Sequence, residues 1–156
     1  MTVTARDAIP PRIRPARTED LLDICRLERR CFDQPWPFSA FESHVEAAGF
    51  LVAIHDGRLA GYVVSSVHSG FPGAYGHVKD LAVHPAYRRR GIARYLLTES
   101  LDRLTQHGAL RAVLEVRVSN TAAISLYESL GFQSARRRPG YYEDGETALV
   151  MTRRLR

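Results

Sequence analysis

The stretch from Gly76 to Gln106 limits the fold more than any other. Gly76-His77-Val78-Lys79-Asp80-Leu81-Ala82-Val83 reads as a strand and is ended by Pro85. Gly91 follows, and Ile92, Tyr95, Leu96, Leu101 and Leu104 then share one face of a periodic helix that Gly108 stops. A strand leading at once into a long amphipathic helix must bury that helix on a sheet. Leu110 to Val118 is a further apolar strand, interrupted by Glu115 and Arg117, so the three elements form a strand–helix–strand crossover, expected to be right-handed.

The rest of the chain fits the same sheet. Residues 1–11 read as a flexible tail ending in Pro10-Pro11, and 12–156 as one domain. Arg12 to Arg14 is a short first strand. Thr18 is the expected N-cap of a helix carrying Leu21, Ile24, Leu27, Glu28 and Cys31, which must end before Pro35. Ser39 with Glu42 has the capping-box spacing, predicting a short helix to about Ala48. Asp56-Gly57 between two β-branched runs predicts a hairpin with strands near 50–55 and 58–67. Asn120 to Leu130 is a helix, and residues 132–137 and 146–153 are strands joined by Pro-Gly-Tyr-Tyr-Glu-Asp-Gly. The expected class is α+β, close to α/β, with one mixed sheet.

Hydrophobic residues at 45% and charged residues at 25% exclude wholesale disorder. The longest apolar runs fall short of the ~18–20 residues of a membrane span, and the first residues lack the apolar core of a secretory signal. A cytoplasmic protein is expected. Cys25 and Cys31 have no metal-ligand spacing around them, so no metal is expected. Lys79 is the single lysine, and arginine carries nearly all the charge that makes the net +5. Codon bias and recognition of phosphate or carboxylate account equally for that excess. Two arginine clusters stand out: Arg88, Arg89 and Arg90 with Arg94, and Arg136 to Arg138. Neither is interleaved with aromatics as a nucleic-acid stacking surface would be, so no specific nucleic-acid partner is expected.

The first cluster sits where an anion would bind. A helix start presents unpaired N–H groups and a partial positive charge, and Gly91 and Ala93 let a ligand approach the backbone. No Walker lysine and no GxGxxG is present. Spacing alone leaves open a plain glycine at a helix start beside surface arginines. The wider segment, L-A-V-H-P-x-Y-R-R-R-G-I-A, resembles the acetyl-CoA loop of the GNAT acetyltransferases, Q/R-x-x-G-x-G/A, with Arg88, Gly91 and Ala93 at its defining positions. The resemblance implies a GNAT fold: a central mixed sheet of about seven strands flanked by about four helices, splayed into a V between residues 78–83 and 111–117. It implies acetyl-CoA as acyl donor, with Arg89, Arg90, Gly91, Ile92, Ala93 and Arg94 around the pyrophosphate. Leu81, Ala82 and Val83 would pair with the pantetheine arm, beside a β-bulge that opens the slot.

Glu115 is a carboxylate in an apolar strand, which is costly unless it is paired or functional. Its bland readings are a pair with Arg117, a partner on a neighbouring strand, or a solvated face. Tyr127 shares a helical face with Ile124 and Leu130, the ordinary pattern of core packing. The run L-E-V-R-x-S-N-x-x-A-I-x-L-Y-E-S-L-G-F is similar to N-terminal acetyltransferases, especially the bacterial type that acts on a ribosomal-protein alanine. That resemblance makes Glu115 the general base, Tyr127 the general acid, and Asn120 a cofactor contact that also caps its helix; Glu115 can take the proton, directly or through water, if burial raises its pKa.

The chain ends speak to substrate. Glu28-x-x-x-Phe32-x-x-Pro35-Trp36 resembles the first loop of the bacterial type, where Trp36 and Phe38 either wall a peptide groove or plug the helix–sheet seam. Tyr141-Tyr142-x-Asp144-Gly145-Glu146 and Gly76-His77-Val78 resemble archaeal and eukaryotic catalytic subunits, whose paired tyrosines bind the first backbone groups of the substrate. The eukaryotic type has Glu where this chain has Gln34 and His where it has Glu115, and both departures favour chemistry at Glu115. The expected partner is therefore a protein or peptide N-terminus, with ribosome association open. The alternatives are a small-molecule or lysine acetyltransferase and a non-catalytic acyl-CoA-binding domain.

Overall fold

The computed structural model describes residues 10–156, so the expected tail lies almost wholly outside the described residues. Seven strands form one sheet: β1 (Arg12–Pro15), β2 (Leu51–His55), β3 (Arg58–His68), β4 (Tyr75–Val83), β5 (Arg111–Arg117), β6 (Gln133–Arg138) and β7 (Ala148–Arg154). Their order is β1-β2-β3-β4-β5-β7-β6. All neighbours are antiparallel except β4 and β5, the two strands joined through the long helix. Four helices cover the sheet: α1 (Leu21–Cys31), α2 (Phe38–Glu42), α3 (Ile92–Gln106) and α4 (Thr121–Ser129). The mixed seven-strand, four-helix arrangement matches the sequence expectation.

Two apolar layers sandwich the sheet. On one face, Leu96, Leu97, Leu101 and Leu104 of α3 are fully or almost fully buried against Leu51, Val63, Ala112, Leu114 and Met151. On the other, Leu21, Ile24 and Leu27 of α1 meet Phe41, Phe50, Tyr62 and Val64. Tyr95 departs from expectation: it is 40% exposed because its place on the helical wheel lies away from the Leu96–Leu104 stripe.

Two expected caps are also corrected. Thr18 opens a short 3-10 turn, and the carboxylate of Asp20 accepts the Arg17 backbone N–H (2.7 Å) while pairing with Arg14 (2.7 Å). Ser39 lies inside α2, which starts from Pro37; proline pre-sets the entry, and the helix ends after Glu42 rather than near Ala48.

The feature that shapes the site is a fault in β4. Register with β3 shifts between Val64, opposite Asp80, and Ser65, opposite Val78, so Lys79 is the extra residue of a bulge. Pairing of β4 with β5 runs only from Gly76–Ala112 to Val78–Leu114. Beyond that point the strands part, as the sequence led one to expect. Gly61 on β3 lets β4 come close: a Cβ there would sit 2.7 Å from the Ala82 carbonyl oxygen. Gly61→Ala should therefore cost about 1–3 kcal/mol of stability by overpacking, read as a lower urea midpoint with an unchanged m-value.

Candidate active site

Around the point where β4 and β5 part, the predicted residues take different places. Glu115 and Arg117 alternate with core residues Leu114 and Val116, so both leave the α3 layer and face the opposite side of the sheet. His77 alternates with buried Val78 and faces the same way. Across the parallel pair, His77 Nε2 and Glu115 Oε2 are 2.6 Å apart. Sequence reasoning had noted His77 only as part of a family-like tripeptide; its pairing needs the β4–β5 register, which is invisible in the chain. The Glu115–Arg117 pair does not form. Arg117 instead binds Asp144 (2.7 Å) and Glu146 (2.9 Å), because the Tyr-Tyr loop folds over the end of β5.

The condition that burial raise the Glu115 pKa is not met. The hydrogen bond to His77 holds the carboxyl below the usual glutamate range, outweighing burial, and the charges of His77 and Arg138 add to that. Tyr127 behaves oppositely. Burial, then the negative charge of Asp80 and the neighbouring Tyr142, push its phenol up to about 12, so it keeps its proton. Its ring lies edge-on to Phe132 with centroids 5.9 Å apart, so it is also a packing residue.

The loop before α3 has the predicted strand–glycine–helix form. Arg89 has φ 64° and Gly91 φ 77°; the left-handed turn aims the start of α3 outward, and nothing lies within 4 Å of a Cβ at Gly91. The first helical bond runs from Tyr95 N to Gly91 O (3.0 Å), leaving the N–H groups of Ile92, Ala93 and Arg94 at the open end of a 15-residue helix. Arg88 is not aimed at an anion: its Nε donates to the Val83 carbonyl (3.1 Å) and its Nη2 to Cys31 Sγ (3.6 Å), bracing the loop. Arg94 donates to Ser129 Oγ (2.6 Å) and ties α3 to α4. Arg90 lies over the Tyr87 ring (5.4 Å). Asn120 caps α4 by accepting from Ala123 N (3.1 Å).

The β4 edge offers backbone groups. His84 N donates to Ala60 O on the β3 side (2.7 Å), so strand alternation turns the Leu81 and Val83 amides to the open edge. The Leu81 N–H is taken by Asp80 Oδ1 (2.9 Å).

On the far side, Tyr141 and Tyr142 stand edge to face (centroids 5.0 Å apart), under Arg138 (4.8 Å) and Arg117 (4.1 Å) respectively. Arg138 thus has a place in the site that its sequence left open. Trp36 is half-buried against Phe41 (5.3 Å) and His44 (5.6 Å), which favours the seam-plug reading, whereas Phe38 is 41% exposed. Among the described residues no group of three or more His, Cys, Asp or Glu is arranged to hold a metal, and no helix is long and apolar enough to cross a membrane.

The family model described as "Acetyltransferase (GNAT) family" matches residues 21–132. The chain belongs to the GNAT acetyltransferase family. It is similar to an N-alpha-acetyltransferase of Saccharolobus solfataricus, at 38% identity over 92% of each chain. It is 36% identical to the [Ribosomal protein bS18]-alanine N-acetyltransferase of Escherichia coli K12, over 86% of this chain and 90% of that one. The solved structure of the Escherichia coli ribosomal-protein-S18-alanine N-acetyltransferase superposes with a TM-score of 0.79 at 33% identity, covering 92% of this chain and 93% of that one.

Because the native Glu115 pKa is depressed, its stabilisation is present above the unfolded value near 4.3 and is lost as pH falls through the lower native value. Wild type should melt above Glu115→Gln at pH 7, and the gap in melting temperature should close below about pH 4.

Proposed function

We propose that this enzyme transfers an acetyl group from acetyl-CoA to the N-terminal α-amine of proteins, with His77, Glu115 and Tyr127 handling the protons. The observation that carries the reading is the 2.6 Å His77–Glu115 pair at the mouth of the parted strands, with a protonated tyrosine on the helix that follows β5.

The residues fit the acyl donor. The open end of α3 suits a pyrophosphate, and the Val83 amide at the β4 edge suits an extended arm that adds like a strand. Acetyl-CoA supplies the activated acetyl thioester. A protein α-amine titrates near 7.7–8.0, so at neutral pH much of it must lose a proton before it attacks. Glu115, ionised at neutral pH, attracts the ammonium form and anchors the imidazole of His77, the side chain type best suited to proton transfer near neutrality. A lysine ammonium, with a pKa near 10.4, is a harder substrate for such a base. Tyr127 holds its proton until a departing thiolate needs it. A backbone N–H of the Leu81–Val83 edge would stabilise negative charge on the acyl oxygen. Tyr141 and Tyr142 offer hydroxyls on rigid rings to the backbone of the first residues.

Named relatives support the substrate: the Saccharolobus protein is called an N-alpha-acetyltransferase, and the bacterial one acts on the alanine of ribosomal protein bS18. A solved NatB acetyltransferase complex bound to CoA and MES, 27% identical with a TM-score of 0.82 and covering 93% of this chain and 99% of that one, supports the cofactor. Cytoplasmic action and work beside the ribosome are consistent with such substrates and belong to the same proposal.

CoA release should be followed on peptides starting with Ala, Ser, Met and Glu, and on an N-blocked peptide with an internal lysine. Free N-termini should turn over and the blocked peptide should not. Glu115→Gln and Tyr127→Phe should each lose about 10²–10⁴-fold in kcat. Faster turnover of the blocked peptide or of a polyamine would overturn the assignment. Replacing Tyr141 and Tyr142 together by Ala should raise KM for peptide by on the order of tenfold, one to two lost hydrogen bonds, while acetyl-CoA affinity stays unchanged in a calorimetric titration.

A further inference from the structure

A second acidic cluster lies behind the cleft and has no part in the proton steps above. Glu28 of α1 is 1% exposed, an uncommon place for a carboxyl group. It faces Asp80 on β4 and Tyr62 on β3, and the Trp36 backbone N–H reaches it from the loop after α1. Cys25 and Cys31 flank it along its own helix and its end, and Tyr127 senses Asp80 from the far wall. Among the described residues, Glu28 Oε2, Tyr62 Oη and Asp80 Oδ2 are each buried without a hydrogen-bond partner. No ion pair between an arginine or lysine and either carboxyl is found among the described residues.

We infer that Glu28 and Asp80 share one proton, and that this carboxyl pair is a positioning device that ties α1 to the β4 bulge and sets the edge presented to the acyl donor. Two carboxyl groups withdrawn from water against each other cannot both ionise. Burial raises both pKa values, that of Glu28 far above the carboxylate range, while the Leu81 N–H donated to Asp80 Oδ1 favours the proton on Glu28 and the charge on Asp80. That charge has a use. Asp80 is the residue next to the extra Lys79, and its Oδ1 holds the Leu81 N–H (2.9 Å), one of the two amides turned to the open edge. The pair thus decides that Val83, not Leu81, is the free donor there, and it anchors the bulge from which β4 leaves β5. The consequence for acetyl transfer rests on the proposed function; the shared proton does not.

The test separates the two. An infrared spectrum of the whole protein at neutral pH should show the C=O stretch of a protonated carboxylic acid that disappears in Glu28→Gln. Folded Glu28 keeps a proton that the unfolded chain has released, so stability falls as pH rises between the two pKa values. The melting temperature of wild type should therefore fall relative to Glu28→Gln between about pH 6 and 9. In acetyl transfer, Gln supplies a neutral donor of the same shape and should keep kcat/KM within about threefold. Glu28→Leu should lose on the order of tenfold to a hundredfold, through a higher KM for acetyl-CoA, with peptide KM unchanged. A missing acid band, or parallel melting profiles, would overturn the shared proton. A Glu28→Gln loss as deep as that of Glu28→Leu would overturn the neutral role of Glu28. Should Glu28→Leu not fold, Glu28→Gln alone decides. Should no variant acetylate any peptide while the band and the melting shift are present, the proposed function fails and the carboxyl pair stands.

Discussion

Everything at this site depends on backbone hydrogen bonds that stop. β4 and β5 pair over three register positions, up to Val78 and Leu114, and then part. A sheet interior normally satisfies every N–H and C=O. Here the freed groups of β4 are left at an edge between two strands of the same sheet, where an extended ligand can join the sheet. The bulge at Lys79 and the close packing at Gly61 both serve that separation.

The parting also divides the chemistry between two walls. Below it, parallel pairing places His77 beside Glu115 and holds that carboxyl below the usual glutamate range. Above it, α4 carries a tyrosine whose proton is held by burial. The loop at α3 would be reached from the same opening, since Val83 leads directly through His84 and Pro85 into Arg88. Arg88 is spent on that geometry, donating back to Val83 rather than outward. At the start of α3, then, Arg88 shapes the turn, while the amides of Ile92, Ala93 and Arg94 stay at the open end of the helix.

The sequence was legible where one element carries its own signal. Alternation in 76–83, the α3 stripe, Asp56-Gly57 and the glycine before α3 all speak locally, and the sheet followed from them. It was illegible where the answer depends on register. Glu115 could be assigned a strand, but not His77 as its partner, and so not the sign of its pKa shift. Arg117 two residues on offered a plausible pair, yet a distant loop claims it. Glu28 read as a helix residue of a familiar loop, and Asp80 as an ordinary strand position; only packing of α1 on the bulge brings them together. The capping box expected at Ser39 fails for a local reason: Pro37 already occupies the N-cap.

β6 forms one border of the sheet, and every one of its residues, including Arg136, Arg137 and Arg138, is exposed. An unpaired border strand is a template for adding another chain. Two copies meeting along this border would bring three guanidinium groups of one against three of the other, and like charges set opposite across paired strands are unfavourable. Arg138, folded over Tyr141, turns one of those charges back toward its own molecule. Self-pairing along this border would therefore have to overcome charge repulsion, part of it from the same arginine that lies over the Tyr141 ring.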